Sequence, residues 1–156
     1  MSIQKIRFIL KEFRKIAKDP TKLYTEVWKD ALVQDYIVYL NTENQLKQGK
    51  RQDGQPMREY ASLSYLNAKR AAGLRSIPGE ETDLFVSGRF YDTFEVKVLK
   101  DGFKVLANTD IYGWDFEETY GLVRGLSPEN TALLREFIKE ILPEILQREI
   151  FKGSLF

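Results

Sequence analysis

The stretch FEVKVLKDGFKVLA, residues 94–107, decides the fold class of this 156-residue chain. Apolar residues alternate with charged ones from Phe94 to Val98 and again from Phe103 to Val105, and Lys100-Asp101-Gly102 lies between the two runs. This alternation around a glycine-containing turn predicts an antiparallel β-hairpin. A lone two-stranded hairpin is marginally stable in water. It therefore has to pack on helices or find a further strand, from residues 83–87 or from another subunit.

Downstream of the hairpin the pattern is helical. Ser127-Pro128-Glu129 has the residue types of an N-cap, a first-turn proline and a first-turn acid. Apolar residues then recur at spacings of three and four as far as Ile150. The pattern predicts a C-terminal helix over residues 127–150. Pro143 is expected to kink this helix near Lys139.

Upstream of the hairpin, residues 3–17 place apolar side chains at helical spacing with basic residues between them. We expect this apolar face to pack on the core, although a basic amphipathic helix can also lie on a membrane or on an acidic protein. Asp19-Pro20 ends the helix. A second helix is predicted from Thr21 to about Lys47. With the hairpin, these helices indicate an α+β fold in one domain that spans residues 1–156. The helical N-terminal part covers residues 1–47, and the antiparallel strands fall within residues 83–108.

The segment 48–82 interrupts this order. Glycine, proline and polar residues break its periodicity, and only residues 62–72 fit a short helix. A connection of this length is uncommon in a compact domain and is usually functional or mobile. We therefore expect a long basic loop that is functional or mobile.

Charge is distributed unevenly along the chain. The net charge is +1, but residues 1–18 and 47–75 each carry +5, while residues 108–150 carry −5. Opposite charges at the two ends of the chain could meet across an interface between copies. The basic segment 47–75 also contains Tyr60 and Tyr65, and such interleaving occurs in single-strand nucleic-acid binders. Nucleic-acid binding through residues 47–75 is therefore an alternative function.

Composition limits the catalytic chemistry. The chain has no cysteine and no histidine, so the commonest general base and the commonest metal ligand are both missing. Asp110, Asp115, Glu117 and Glu118 could in principle bind Mg²⁺. Glu117 and Glu118 would point apart on a helix, however, and a solvated acidic loop is the simpler interpretation. Glycine-rich phosphate-binding motifs are absent. We predict neither enzymatic activity nor a cofactor or metal.

Several short motifs occur in an order that resembles one protein family. They are Asn41-Thr42-Glu43-Asn44-Gln45-Leu46 with Gly49, Asp53-Gly54, Tyr60, Lys69, Gly73, the segment SGRFYDTF at 87–94, Tyr120-Gly121, Gly125-Leu126-Ser127 and the C-terminal helix. The pattern is similar to the head–tail joining, or tail-completion, proteins of tailed bacteriophages. It covers residues 41–150. Thr93 departs from the serine usual in the box that leads into the hairpin, and residues 1–40 match nothing in the pattern.

The resemblance implies a structural virion protein without an active site, assembled in the host cytoplasm into a ring at the neck of the particle. The implied partners are copies of itself, the portal or connector, and the tail-tube or tail-terminator protein. Genomic DNA is a further implied contact, and no membrane is involved.

Ring assembly would use exposed charged and apolar side chains and the free edges of the hairpin. Reversing the charges of Lys11, Arg14 and Lys15 is expected to abolish assembly while the monomer stays folded. The candidate assembly contacts are Lys11, Arg14, Lys15, Lys50, Arg51, Arg58, Arg70, Arg89, Leu155 and Phe156.

Overall fold

The computed structural model describes residues 3–59, 63–73, 82–85, 87–110, 113 and 115–152. The fold is α+β, as predicted: helices surround one β-hairpin, and a long helix ends the described chain. The elements are α1 (Ile3–Lys18), α2 (Thr21–Lys29), α3 (Ala31–Thr42), α4 (Leu63–Ala71), β1 (Glu95–Leu99), β2 (Gly102–Leu106), α5 (Phe116–Tyr120) and α6 (Pro128–Phe151). Among the described residues, no helix is both long and apolar enough to cross a membrane.

The predicted helix from Thr21 to about Lys47 is two helices. Asp30 interrupts it with an extended backbone, ψ 127°. The Asp30 carboxylate accepts hydrogen bonds from the backbone amides of Leu32 (3.0 Å) and Val33 (3.4 Å), and so caps the N-terminus of α3. α3 ends at Thr42, and a short 3₁₀ turn follows at Leu46–Gln48. An aspartate within a helical pattern therefore marked a helix start that periodicity alone did not show.

The hairpin forms as predicted, with Glu95 opposite Leu106 and Leu99 opposite Gly102. Its inner face packs against α2 and α3. The rings of Trp28 on α2 and Phe103 on β2 have their centroids 5.0 Å apart. Of the two alternatives expected for the hairpin, packing on helices is therefore the one that the structure shows.

A third strand was expected at residues 83–87. Residues 83–85 and 87, which are the described part of that segment, form no strand. Leu84 has φ +55°, in the left-handed region, which a regular strand cannot accommodate. The Tyr91 hydroxyl donates a hydrogen bond to the carbonyl oxygen of Asp83 and holds this bend. The segment supplies buried side chains rather than a strand.

The core lies between the hairpin, α2, α3 and α6. Phe90 is buried at its centre, with ring centroids 4.7 Å from Phe116 and 5.1 Å from Phe94. The edge-to-face angles of both pairs are those that aromatic rings prefer. α6 is capped by Ser127, whose hydroxyl accepts from the Asn130 amide at 3.2 Å, and the helix continues through Pro143.

The start of the predicted long loop is compact. The Met57 amide donates to the Gly49 carbonyl at 2.6 Å, and the Arg51 amide donates to the Gln55 carbonyl at 2.8 Å. The Gln52 amide reaches across to the Leu122 carbonyl at 3.0 Å. Residues 49–57 are therefore held together and to the turn before α6 by hydrogen bonds within the chain. α4 lies inside the stretch that fits a short helix.

Candidate interaction surface

The apolar face of the N-terminal helix α1 is exposed, although the sequence predicts that this face packs on the core. Within Ile3–Lys18, all of which the structure describes, no residue is buried. Ile3 is 70% exposed, Ile6 43%, Leu10 51% and Phe13 49%. The expectation that the apolar face of this helix packs on the core is therefore wrong. These four residues are named the apolar stripe.

The stripe follows from helical geometry, because residues three and four apart lie on one face of a helix. The neighbouring face carries the exposed side chains of Arg7, Lys11, Arg14 and Lys18, named the basic ridge. Neither Lys11 nor Arg14 forms an ion pair with any described residue. Lys15, also exposed, is 2.7 Å from Glu12 one turn away.

A third side of α1 holds the helix to the rest of the protein. α1 packs against α6. The Lys5 ammonium lies 5.9 Å from the centre of the Phe151 ring, close enough for a cation–π interaction. Ile9 and Ile16 are half-buried. α1 is therefore docked along one side, while the apolar stripe and the basic ridge face away from the core.

α6 exposes a surface of the opposite charge. Glu136, Glu140 and Glu144 are exposed and follow each other at a spacing of four, with Leu133 one turn before Glu136. Leu133 is itself 40% exposed. We call these four residues the acidic ridge. Its only ion pair with a described residue joins Glu136 to Lys139 at 2.6 Å, and both side chains of that pair are well exposed.

The other candidate contacts do not gather at one place. Lys50 and Arg51 lie near the start of α6, where Lys50 pairs with Glu129 at 3.1 Å and Arg51 pairs with Asp53 at 2.8 Å. Arg58 and Arg89 are exposed, and Arg70 is half-buried on α4. Leu155 and Phe156 lie outside the described residues. The structure thus brings together Lys11, Arg14 and Lys15 on one helix, and Lys50 with Arg51 at a second site.

The basic segment 47–75 is largely neutralised by acidic partners. Besides Lys50 and Arg51, Lys47 contacts Glu43 at 2.6 Å. Lys69 forms an ion pair with Asp83, and both side chains are buried. Four of the seven basic residues in this segment therefore have a carboxylate partner. The surface charge available for a polyanion is much smaller than the sequence suggests.

Sequence reasoning missed a buried amide cluster, formed by Asn41, Gln45 and Asn130. The Asn41 side chain donates to the Val123 carbonyl (3.0 Å) and accepts from the Gly125 amide (2.7 Å). Gln45 donates to the Gly125 carbonyl (2.9 Å) and accepts from the Ser127 amide (2.7 Å). Asn130 donates to the Leu40 carbonyl at 2.8 Å and to Gln45 at 3.3 Å.

The cluster joins the end of α3 to the turn before α6. Asn41 and Gln45 belong to the motif Asn41–Leu46, and their backbone partners Gly125 and Ser127 belong to the motif Gly125-Leu126-Ser127; both motifs carry the family resemblance. A signal for it exists in the sequence, since Asn41 and Gln45 are four residues apart, a spacing that would place both amides on one face of the helix predicted from Thr21 to about Lys47. Buried amides need partners. These motifs therefore have a structural role in holding two segments together.

The acidic residues near α5 also have structural roles. The Asp115 carboxylate caps α5 by accepting from the Glu117 amide at 2.6 Å. Burial alone would raise the pKa of Glu117, but hydrogen bonds from the Arg124 side chain and from the amides of Val123 and Arg124 hold that pKa below its ordinary value. In the described part of the chain, no three acidic residues come close enough to hold a metal ion. Asp115 and Glu117 are thus engaged in capping and ion pairing.

Comparison with protein-family models, with curated proteins and with solved structures found no match to this chain. The family resemblance therefore stays a prediction made from the sequence motifs.

Proposed function

We propose that this protein is a structural subunit that assembles through the free sides of α1, and that the assembly is a ring at the head–tail junction of a tailed phage. The observation that carries the proposal is the apolar stripe, four large apolar side chains exposed on one helix. Single exposed apolar residues are common on protein surfaces, but a contiguous apolar patch is typical of an interaction site.

The proposed place in the particle depends on the sequence motifs alone. The partners proposed are copies of the same chain and the proteins on the portal and tail sides of the neck, with the protein resident in the virion after assembly in the host cytoplasm.

The alternative function, nucleic-acid binding through residues 47–75, has less support. Lys47, Lys50, Arg51 and Lys69 already have acidic partners, so few cations remain for phosphates. If DNA binding did occur through this segment, affinity would fall steeply with rising salt. We expect no measurable binding to single- or double-stranded DNA at moderate salt.

Mass spectrometry of density-gradient fractions from an induced lysate of the source organism tests the proposed function. We expect the chain to sediment with intact particles at a fixed ratio to the major structural proteins. Recovery of the chain only with soluble cell protein would overturn the placement in a virion. Sedimentation velocity of the purified chain separately tests self-assembly, because any species heavier than the 18.2 kDa monomer contains more than one copy.

A further inference from the structure

The two oppositely charged ridges of this molecule do not cover each other. The basic ridge on α1 is exposed, and so are the three glutamates of the acidic ridge on α6. α1 does pack on α6, but through its other side, where Ile9 and Ile16 are half-buried and Lys5 lies over Phe151. Each molecule therefore presents two separate charged surfaces to its surroundings.

The ridges also match in form. Arg7 and Lys18, the ends of the basic ridge, are eleven residues apart, which corresponds to about 16 Å along a helix. Leu133 and Glu144, the ends of the acidic ridge, are also eleven residues apart, again about 16 Å. Both surfaces contain large apolar side chains beside the charges, Leu10 and Phe13 on one and Leu133 on the other. Two helices with these faces can pack side by side.

We infer that the partner of α1 is the acidic ridge of a second copy of this chain. This inference rests on the proposed self-assembly and names the surface that α1 contacts. The contact is heterologous, because one patch meets a different patch on the neighbour. A row of bound copies therefore has a free basic ridge at one end and a free acidic ridge at the other. Such a contact propagates from copy to copy, and it forms a ring when the rotation between neighbours closes and an open filament when it does not.

A second copy fits these observations better than a lipid surface or a nucleic acid. The molecule as a whole carries a net charge of only +1, so it has no general attraction to polyanions. A membrane would cover α1 but would leave the acidic ridge and Leu133 exposed. A second copy covers both surfaces with one contact.

Two charge reversals test the contact. The first variant is Lys11→Glu/Arg14→Glu on α1, and the second is Glu136→Lys/Glu140→Lys on α6. Each should weaken self-association by at least about a hundredfold, because it places like charges opposite each other across the interface. All four side chains are exposed, so the melting temperature and the circular dichroism spectrum should stay unchanged. Self-association of the unaltered chain should itself weaken as salt rises.

Mixing the two variants makes the test specific. The acidic α1 of the first variant then meets the basic α6 of the second, and the unaltered α1 of the second meets the unaltered α6 of the first. We expect assemblies of full size in the mixture, measured by sedimentation velocity, although neither variant assembles alone. A like-for-like contact between two α1 helices would not be affected by the α6 reversal.

Controls match the net charge. Lys97→Glu/Lys104→Glu changes two register partners on the outer face of the hairpin and lowers the net charge as much as the α1 variant does. It should assemble normally. Glu95→Lys/Glu118→Lys raises the net charge as much as the α6 variant but leaves both ridges unaltered, so it should also assemble normally.

The outcomes separate this inference from the proposed function. Loss of assembly in the α1 variant but not in the α6 variant would overturn the inferred partner and leave self-assembly through α1 in place. An unaltered chain that stays monomeric at every concentration would overturn both. Binding of that monomer to vesicles of phosphatidylglycerol and phosphatidylcholine, lost in the α1 variant, would assign α1 to a lipid surface instead.

Discussion

The amide cluster at the start of α6 is buried, whereas the outer side of α1 is exposed. Gln45 is fully buried, and its side-chain amide donates to the Gly125 carbonyl and accepts from the Ser127 amide. Leu10 on α1 is half-exposed, and Lys11 beside it forms no ion pair with a described residue. The cluster satisfies its bonding groups inside the molecule, whereas the outer side of α1 leaves its apolar and charged side chains exposed. This difference separates what holds the fold from what is available for function.

The matched leucines Leu40 and Leu10 should show the largest difference between the two regions. Leu40→Ala removes a buried side chain from α3 and should lower the free energy of unfolding by about 3 kcal/mol. Leu10→Ala should change it by less than about 0.5 kcal/mol, because the side chain is already half-exposed. Urea denaturation of the monomer at high salt measures both. Equal losses would mean that α1 belongs to the core.

The glutamines Gln45 and Gln48 form the next pair. Gln45→Ala leaves the Gly125 carbonyl and the Ser127 amide without their buried partner, so we expect a loss of about 2–3 kcal/mol. Gln48, three residues on, is exposed and makes one long hydrogen bond of 3.4 Å, so Gln48→Ala should be nearly neutral. Urea denaturation measures the difference, provided that the dependence of the unfolding free energy on urea concentration is the same in both variants. A neutral Gln45→Ala would show that the cluster contributes nothing to stability.

The smallest expected effect is a dependence on pH at Glu117. Its pKa in the folded protein is lower than the ordinary value of 4.5. A lowered pKa adds stability above pH 4.5, and that stability is lost as the pH falls through the folded-state pKa. Glu117→Gln should therefore cost about 1 kcal/mol at neutral pH and progressively less in acid.

Glu118→Gln is the matched control, since Glu118 is the exposed neighbour. Its effect on stability at neutral pH should be small, because the side chain is exposed. A cost of Glu117→Gln that did not change between neutral and acidic pH would contradict the stabilising role of the charged form.

Local patterns predicted the parts of the fold that depend on near neighbours. The alternation at 94–107 predicted the hairpin, and Ser127-Pro128-Glu129 predicted the start of α6, because strand alternation and helix capping are properties of a few adjacent residues. The break at Asp30 was missed, since the apolar spacing continues across it and only the capping hydrogen bonds reveal it. The bend at Leu84 depends on a bond from Tyr91, which no local pattern contains.

The candidate surface was predicted only in part. Amphipathic spacing at residues 3–17 shows that a helix has an apolar face, but not which neighbour covers that face. Lys11, Arg14 and Lys15 were selected from their charge, and the structure leaves them exposed. The net charge of segment 47–75 did not show that its lysines have acidic partners, because Glu43, Asp83 and Glu129 lie outside the segment.

We propose that the exposed apolar stripe of α1 is an assembly surface and not part of the core. Light scattering coupled to gel filtration tests it most directly, comparing the unaltered chain with Ile6→Ser/Leu10→Ser/Phe13→Ser at the same concentration and low salt. We predict a multiple of 18.2 kDa for the unaltered chain and 18.2 kDa for the variant, with equal melting temperatures at high salt. Equal masses for the two proteins, or a variant that unfolds at a clearly lower temperature, would contradict the claim.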